Sequence, residues 1–358
     1  MKKVLQIASA FIGIIIGAGF ASGQEILQYF TSFGLVGTIA IVIATALFAY
    51  VGMILTRLGS RMKANNHSDV IYQISGRFIG RIIDYILVAV LIGVGVVMIA
   101  GGGSTLQQQF GLPFWVGALL MATLLSLAAV NNVSRVVNII GSITPFLIIS
   151  VILVAIYTLF TMDGSLSQLG TIAAQQPKAL PNWALSAINY VSFNIAVGAS
   201  MSIVMGGDES NEKTAAWGGL VGGLGIGVLI LLSHYAILAN IESIAGYDMP
   251  MLKIVDDLSP VLGFIYSLIL YGMVFNTGLS MFYSFGARFA HTGTKKFNII
   301  TVGSIAAGFG LSFVGFTSLV SIFYPLFGYL GLVLSAVLII ASFRMKKYQA
   351  LSSEKEIA

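Results

Sequence analysis

Apolar runs long enough to cross a bilayer recur along this chain from end to end, separated by short polar stretches. Such a run reads as a transmembrane helix once it approaches about 20 residues. In lipid, only helices and closed barrels satisfy every backbone polar group. No stretch has the strict alternation of a barrel strand, so the fold class expected is an all-α polytopic membrane protein in contact with the lipid bilayer. The chain has no cysteine, which excludes disulfides, Cys-based metal sites and a thiol nucleophile. Its net charge of +5 carries no nucleic-acid signal, because the basic residues sit mostly in short loops between spans.

Ten spans are expected: Lys3–Thr31, Gly34–Leu58, Arg81–Gln108, Pro113–Val130, Arg135–Phe160, Trp183–Gly207, Ala215–Ala239, Pro260–Phe289, Phe297–Phe313 and Ser318–Arg344. A basic loop with a short amphipathic piece around Val70–Phe78 follows the second span, and Asn131–Ser134 makes a tight turn. Thr161–Asn182 and Asn240–Ser259 are longer loops, and the tail Met345–Ala358 is polar. Lys2 and Lys3, an apolar run and then Ala21-Ser22-Gly23 imitate a cleavable signal peptide. The run is longer than such a peptide needs and soon resumes, so a retained first span is expected.

Orientation follows from lysine and arginine. With a cytoplasmic N-terminus, the inner set is Lys2, Lys3, Arg57, Arg61, Lys63, Arg77, Arg81, Arg135, Lys213, Arg288, Lys295, Lys296, Arg344, Lys346, Lys347 and Lys355. Only Lys178 and Lys253 fall outside. This is the asymmetry of the positive-inside rule, and one span more or fewer would destroy it. The expectation is a multi-pass plasma-membrane protein with both termini cytoplasmic.

Within the first span, Ile14–Tyr29 stops behaving as a simple membrane helix. Gly17, Gly19 and Gly23 interrupt it, with Ala21 and Ser22 between them, and an acid, Glu25, follows. Glycine inside a helix costs roughly 1 kcal/mol relative to alanine, and an intramembrane acid about 2.5–3.5 kcal/mol on insertion scales. A helix broken here, with freed backbone groups facing a cavity, accounts for both. The sixth span concentrates Ser192, Asn194, Gly198, Ala199, Ser200 and Ser202 at its middle. Spans 1 and 6 each open a group of five, and five spans reverse orientation, so two inverted five-helix repeats are expected. The segments are 1–161 for the first repeat, 162–182 for an extracellular loop, 183–344 for the second repeat and 345–358 for a cytoplasmic tail. Paired interrupted spans at corresponding positions point to a transporter binding site. The N–H groups of Ala18–Ser22 are candidates for anion capture, and the carbonyls of Ile16, Gly17 and Phe20 for a cation.

The GAGFASG motif at Gly17–Gly23, the second small-residue stretch and the five-plus-five layout resemble the amino acid–polyamine–organocation transporters of the LeuT fold. Over nearly its whole length the chain is similar to the YkvI-like amino-acid permease family. The resemblance implies that Gly17, Ala18 and Gly19 bind a substrate carboxylate through backbone N–H groups, and that Asn194, Ala196 and Gly198 line the same pocket. In sodium-coupled members, two adjacent hydroxyls on span 8 complete a sodium site with span 1 carbonyls, here Gly17 and Phe20. Thr277 is followed by Gly278, so one hydroxyl is missing; Ser280 or Asn276 is the candidate replacement, with oxygen ligands suited to a hard cation. Back-bonding of Thr277 and Ser280 to their own helix is the plain alternative.

Glu25 is a candidate for proton coupling or for pairing with a substrate amine, against a purely structural acid. His234, alone in span 7, is either a proton relay or a packing histidine. Phe20 and Phe193 are candidate caps of the pocket or ordinary packing. Asp84 reads as a gate or interface salt bridge, and Asp208, Glu209 and Glu212 as a solvated turn with Arg135 or Arg288 as gate partners. Gly219, Gly223 and Gly227 read as close helix packing. No catalytic constellation is present: HExxH, GxSxG and a P-loop are all missing. The expectation is a non-enzymatic secondary transporter of a small zwitterion, an amino acid foremost. Substrate binds between spans 1, 3, 6 and 8 and is driven by sodium or protons, with no cofactor beyond a sodium ion. The alternative is a ligand-binding membrane receptor or ligand-gated permeation subunit on the same fold, as spore-germinant receptor subunits resemble.

Overall fold

The computed structural model describes residues 1–64, 66–130, 144–161 and 165–348. The Asn131–Ser134 turn, the first part of span 5 with Arg135, and the tail beyond Tyr348 lie outside the described residues. The first helices are α1 (Lys2–Ile15), α2 (Ala18–Ser22), α3 (Gln24–Tyr29), α4 (Val36–Met62), α5 (His67–Phe110), α6 (Phe114–Val130) and α7 (Thr144–Thr161). After α8 (Leu166–Ala173) come α9 (Trp183–Gly207), α10 (Glu212–Ala239), α11 (Ile241–Ile244), α12 (Pro250–Leu258), α13 (Pro260–Phe289), α14 (Lys295–Ser312) and α15 (Phe316–Phe343). Six of these, α4, α5, α9, α10, α13 and α15, are long and apolar enough to cross a membrane. The others at expected span positions are shorter, or, in the first span, interrupted.

Polar side chains set many of the helix starts. Asn182 accepts from the N–H groups of Ala184 and Leu185 at 2.9 and 3.0 Å, and Asn211 does the same for Lys213 and Thr214. Thr294 caps α14 through Phe297 N–H, while Pro250 and Pro260 open α12 and α13. Each cap satisfies N–H groups that have no partner inside the helix, and proline fits the first turn because its missing N–H is not needed there. The amphipathic piece before span 3 joins α5 across a kink at Gly76, whose φ of 77° only glycine adopts readily.

Small residues bring the helices together. Side chains added at Gly219, Gly223 and Gly227 would run into Gly52, Ala49 and Thr45 of α4, so α4 and α10 touch through their backbones. Thr56 Oγ1 donates to the Ala215 carbonyl across the same contact at 2.8 Å. Gly59 and Gly206 do likewise between α4 and α9. Without a hydrophobic driving force inside lipid, this close packing is what holds spans together.

One end of the molecule is basic and paired. Arg57 and Arg61 reach Glu212 at 2.6 and 3.6 Å, Lys3 reaches Glu209 at 3.4 Å, and Arg288 reaches Asp84 at 2.7 Å. The expected pairing of this turn with Arg288 is therefore replaced: Glu212 belongs to the arginines of α4, whose last turns lie alongside it, and Arg288 ties α13 to α5. The backbone N–H of Asn211, helped by Lys3 and opposed by burial, holds the Glu209 carboxyl below its ordinary value.

Candidate functional site

The first span is broken twice. After Ile15 the chain extends through Ile16 (φ −80°, ψ 92°) and Gly17 (φ −105°, ψ −164°), then makes the short helix α2. Gly23 (φ 82°) turns left-handed and starts α3. Ser22 closes this turn. Its hydroxyl donates to the Gly19 carbonyl at 2.7 Å and accepts the Gln24 N–H at 3.1 Å, so it is spent on local bonds. Tyr266 of α13 donates to the Ala21 carbonyl at 2.7 Å. The Gly17 and Phe20 carbonyls each accept one backbone N–H, from Ala21 and Gly23, leaving each one lone pair.

Glu25 folds back against the break. A Cβ at Gly19 would overlap its carboxylate, with the Tyr324 hydroxyl 3.1 Å away. Tyr190 of α9 donates to Glu25 Oε2 at 3.1 Å, and Glu25 is only 5% exposed. Around it, Tyr29 donates to Asn189 at 3.2 Å, and Asn189 donates to the Pro325 carbonyl at 3.0 Å. Phe193 stacks on Tyr324 with ring centroids 4.2 Å apart. Phe20 is buried beside the break. Tyr190, Tyr29, Asn189 and Tyr324 were not singled out from sequence; four polar aromatic or amide residues inside spans were the signal available, and each needs a partner when buried.

The sixth span does not break. α9 runs as one helix from Trp183 to Gly207, which corrects the expected mid-membrane interruption. Its polar residues return to their own turns: Asn194 Nδ2 donates to the Tyr190 carbonyl at 2.9 Å and Ser202 to Gly198 at 2.8 Å. Gly198 faces the end of α1, with Ile15 and Ile14 against it, whereas Ala196 lies against Gly331 of α15. Two positions along a helix are about 200° apart, so Asn194 and Ala196 cannot share one pocket wall.

On α13, Thr277 Oγ1 lies 3.6 Å from where a Gly17 Cβ would stand, so this hydroxyl flanks the first break. Thr277 and Ser280 are partly buried, and among the described residues neither hydroxyl back-bonds to a helix carbonyl, unlike Ser267 of the same helix. Asn276 Oδ1 is buried and has no partner among the described residues. His234 sits apart: its ring nitrogens contact Thr31 at 3.0 Å and Thr38 at 3.3 Å. It ties the end of the first span to α4 and α10, and among the described residues no hydrogen bond joins it to Glu25. Open cavities lie elsewhere. A polar one of about 320 Å³ is lined by Thr161, Gln168, Asn240, Glu242 and Ser243, while at the break Glu25 and the Tyr324 hydroxyl lie against Gly19.

No family model matches the chain. It is 28% identical over 338 residues to the uncharacterized membrane protein YkvI of Bacillus subtilis, covering 93% of this chain and 94% of that one. It is 25% identical over 330 residues to the uncharacterized protein YyaD of the same organism, covering 92% and 94%. Among solved structures it is similar to the inward-facing conformation of Mhp1 (TM-score 0.65, 12% identity, 94% of this chain and 75% of that one). It is also similar to MhsT in complex with L-phenylalanine (TM-score 0.64, 15% identity, 94% and 88%). A manganese transporter of Eremococcus coleocola aligns more loosely (TM-score 0.52, 12% identity, 95% and 85%). Over nearly its whole length the chain is thus similar to the membrane protein YkvI and to YyaD, and it has the all-helical LeuT fold of Mhp1 and MhsT.

Proposed function

We propose that this chain is a secondary active transporter of a small zwitterion of the amino-acid class, working by alternating access. In this reading ten spans form two inverted repeats, residues 1–161 and 183–344, with both termini on the cytoplasmic side of the plasma membrane. The observation that carries it is the broken first span with the Glu25 carboxylate laid against Gly19. A plain membrane helix has no use for either feature. Two fold neighbours support the class: one is a manganese transporter and another holds L-phenylalanine.

The two ends of the first span differ in a way that suits alternating access. α1 leaves Gln6, Ser9, Ala10 and Gly13 exposed along one side leading to Gly17, a stripe that fits a water path better than lipid. Beyond the break, α2 and α3 are buried throughout. The substrate carboxylate is assigned to the N–H groups of Gly17, Ala18 and Gly19. An anion there meets Glu25 in contact, and two carboxylates so placed repel unless one holds a proton. This supports Glu25 as the coupling group. Sodium coordinated by Gly17, Phe20, Thr277 and Ser280 is the competing coupling mode, supported by the free hydroxyls.

Uptake of amino acids into proteoliposomes under an imposed proton or sodium gradient tests the reading. Gradient-driven accumulation is the expected outcome, and loss of proton-driven uptake in Glu25→Gln assigns the coupling. Binding of an amino acid with neither uptake nor counterflow would replace the transporter by a receptor on the same fold.

A further inference from the structure

At the end opposite the basic cluster, the segment between α10 and α13 carries the short helices α11 and α12 and lies over the outer part of the broken span. Met251 of α12 is fully buried. A Cβ at Gly23 would stand 2.7 Å from Met251 Cγ and 3.1 Å from its backbone nitrogen, so this side chain rests on the left-handed turn between α2 and α3.

Side chains from two other helices hold the segment in place. Asp248 accepts Ser104 Oγ of α5 at 2.6 Å on one carboxylate oxygen and Thr317 Oγ1 of α15 at 2.5 Å on the other. The next residue, Met249, is held at both backbone groups by Gln108: Nε2 donates to its carbonyl and its N–H donates to Oε1, each at 3.0 Å. Gln109 donates to Asp256 at 3.1 Å. The Thr317 carbonyl accepts from Gln28 of α3 at 3.3 Å. Segment, α5 and α15 thus meet at one carboxylate, and α3 joins them through the Thr317 carbonyl.

We propose that Asp248 is a clasp that holds this segment shut over the broken first span, and that its release opens this end of the molecule. Bonds to an ionised acceptor are roughly twice as strong as neutral ones, so the two hydroxyl bonds on Asp248 outweigh those of Gln108. Asp248 is partly exposed, so water can take over its oxygens when the hydroxyls leave, which makes the clasp reversible. Because its donors stand on two different helices, any movement of α5 relative to α15 must break at least one bond. Met251 passes that movement to Gly23, where the substrate site begins. The meaning for transport rests on the reading above; the clasp itself is tested without transport.

The chain has no cysteine, so Met251→Cys is a clean reporter of the covered face. In purified protein it should react slowly with a maleimide. Asp248→Ala removes both hydroxyl bonds and should speed labelling about a hundredfold, roughly tenfold for each charge-assisted bond. Ser104→Ala and Thr317→Val each remove one donor and leave Asp248 in place, and should fall between. Met121→Cys, buried between α5 and α6 away from the segment, should stay slow in every background. Unchanged Met251→Cys labelling in all three variants would overturn the clasp. So would a parallel rise at Met121→Cys, which would mean general loosening. Absence of amino-acid uptake would count against transport and leave these rates unaffected.

Discussion

The middles of the first and sixth spans are built from the same kinds of residue and adopt opposite conformations. At Ile16–Gly23 the helix comes apart, while at Ser192–Ser202 it continues. In the sixth span the polar groups are satisfied along their own helix, through Asn194 to Tyr190 and Ser202 to Gly198. In the first, other elements supply the partners: Tyr266 reaches the Ala21 carbonyl, Tyr190 reaches Glu25, and Met251 fills the space at Gly23. Small residues permit a break in a membrane helix. The break forms where neighbouring helices can satisfy what it exposes.

The sharpest way to break this comparison is to place a methyl at the matching glycines. Gly19→Ala pushes a Cβ into the Glu25 carboxyl group and forfeits its bond from Tyr190. Gradient-driven uptake should fall at least about tenfold. Gly198→Ala meets the Ile15 Cδ1 end most closely and the Ile14 Cγ2 methyl at 3.0 Å, with no backbone in the way, so uptake should fall far less than in Gly19→Ala. Equal losses would mean that the two spans contribute alike.

A smaller effect is expected at Gly23, where φ of 82° disfavours any side chain. Gly23→Ala should cost at least about 1–2 kcal/mol from the backbone alone, with its Cβ also pressed against Met251, and lower the melting temperature in detergent. Asn194→Ala removes a bond within a continuous helix, and its cost should stay at about 1 kcal/mol. A larger loss at Asn194 than at Gly23 would show that the sixth span is the more delicate one.

The smallest effect concerns the link between the start of the first span and the turn that follows the sixth, Lys3 of α1 to Glu209 after α9. The Glu209 carboxyl is held below its ordinary value by the Asn211 N–H and Lys3. Its contribution to stability is present above the unfolded carboxyl's range and is lost as pH falls through the depressed folded value. The melting temperature should therefore drop less between neutral pH and about pH 3 in Glu209→Gln than in the parent protein.

The break in the first span and the buried acid beside it were legible from Gly17–Gly23 and Glu25, because glycine and an acid inside a span each carry a cost that must be recovered. The close approach of α4 and α10 was legible from Gly219, Gly223 and Gly227 for a related reason, since only small residues let backbones touch. The continuity of α9 was not. Asn194 and Ser202 serve equally well in a cavity or bonded back to their own helix, and composition does not distinguish the two. The tyrosines around Glu25 were hidden because tyrosine is common in spans for packing alone. Asp248 was hidden because its partners, Ser104 and Thr317, stand 144 and 69 residues away.

Sequence alone determined that the chain is helical and lives in a membrane, because apolar length and the need to satisfy backbone groups leave no other solution. It also located the first break, because Gly23 and its neighbours are costly anywhere else. Tertiary structure decided which of two similar stretches unwinds, where Glu25 rests and what closes over it. Those outcomes depend on which distant side chain reaches a given carbonyl or carboxylate, and that is a property of packing between helices rather than of any single span.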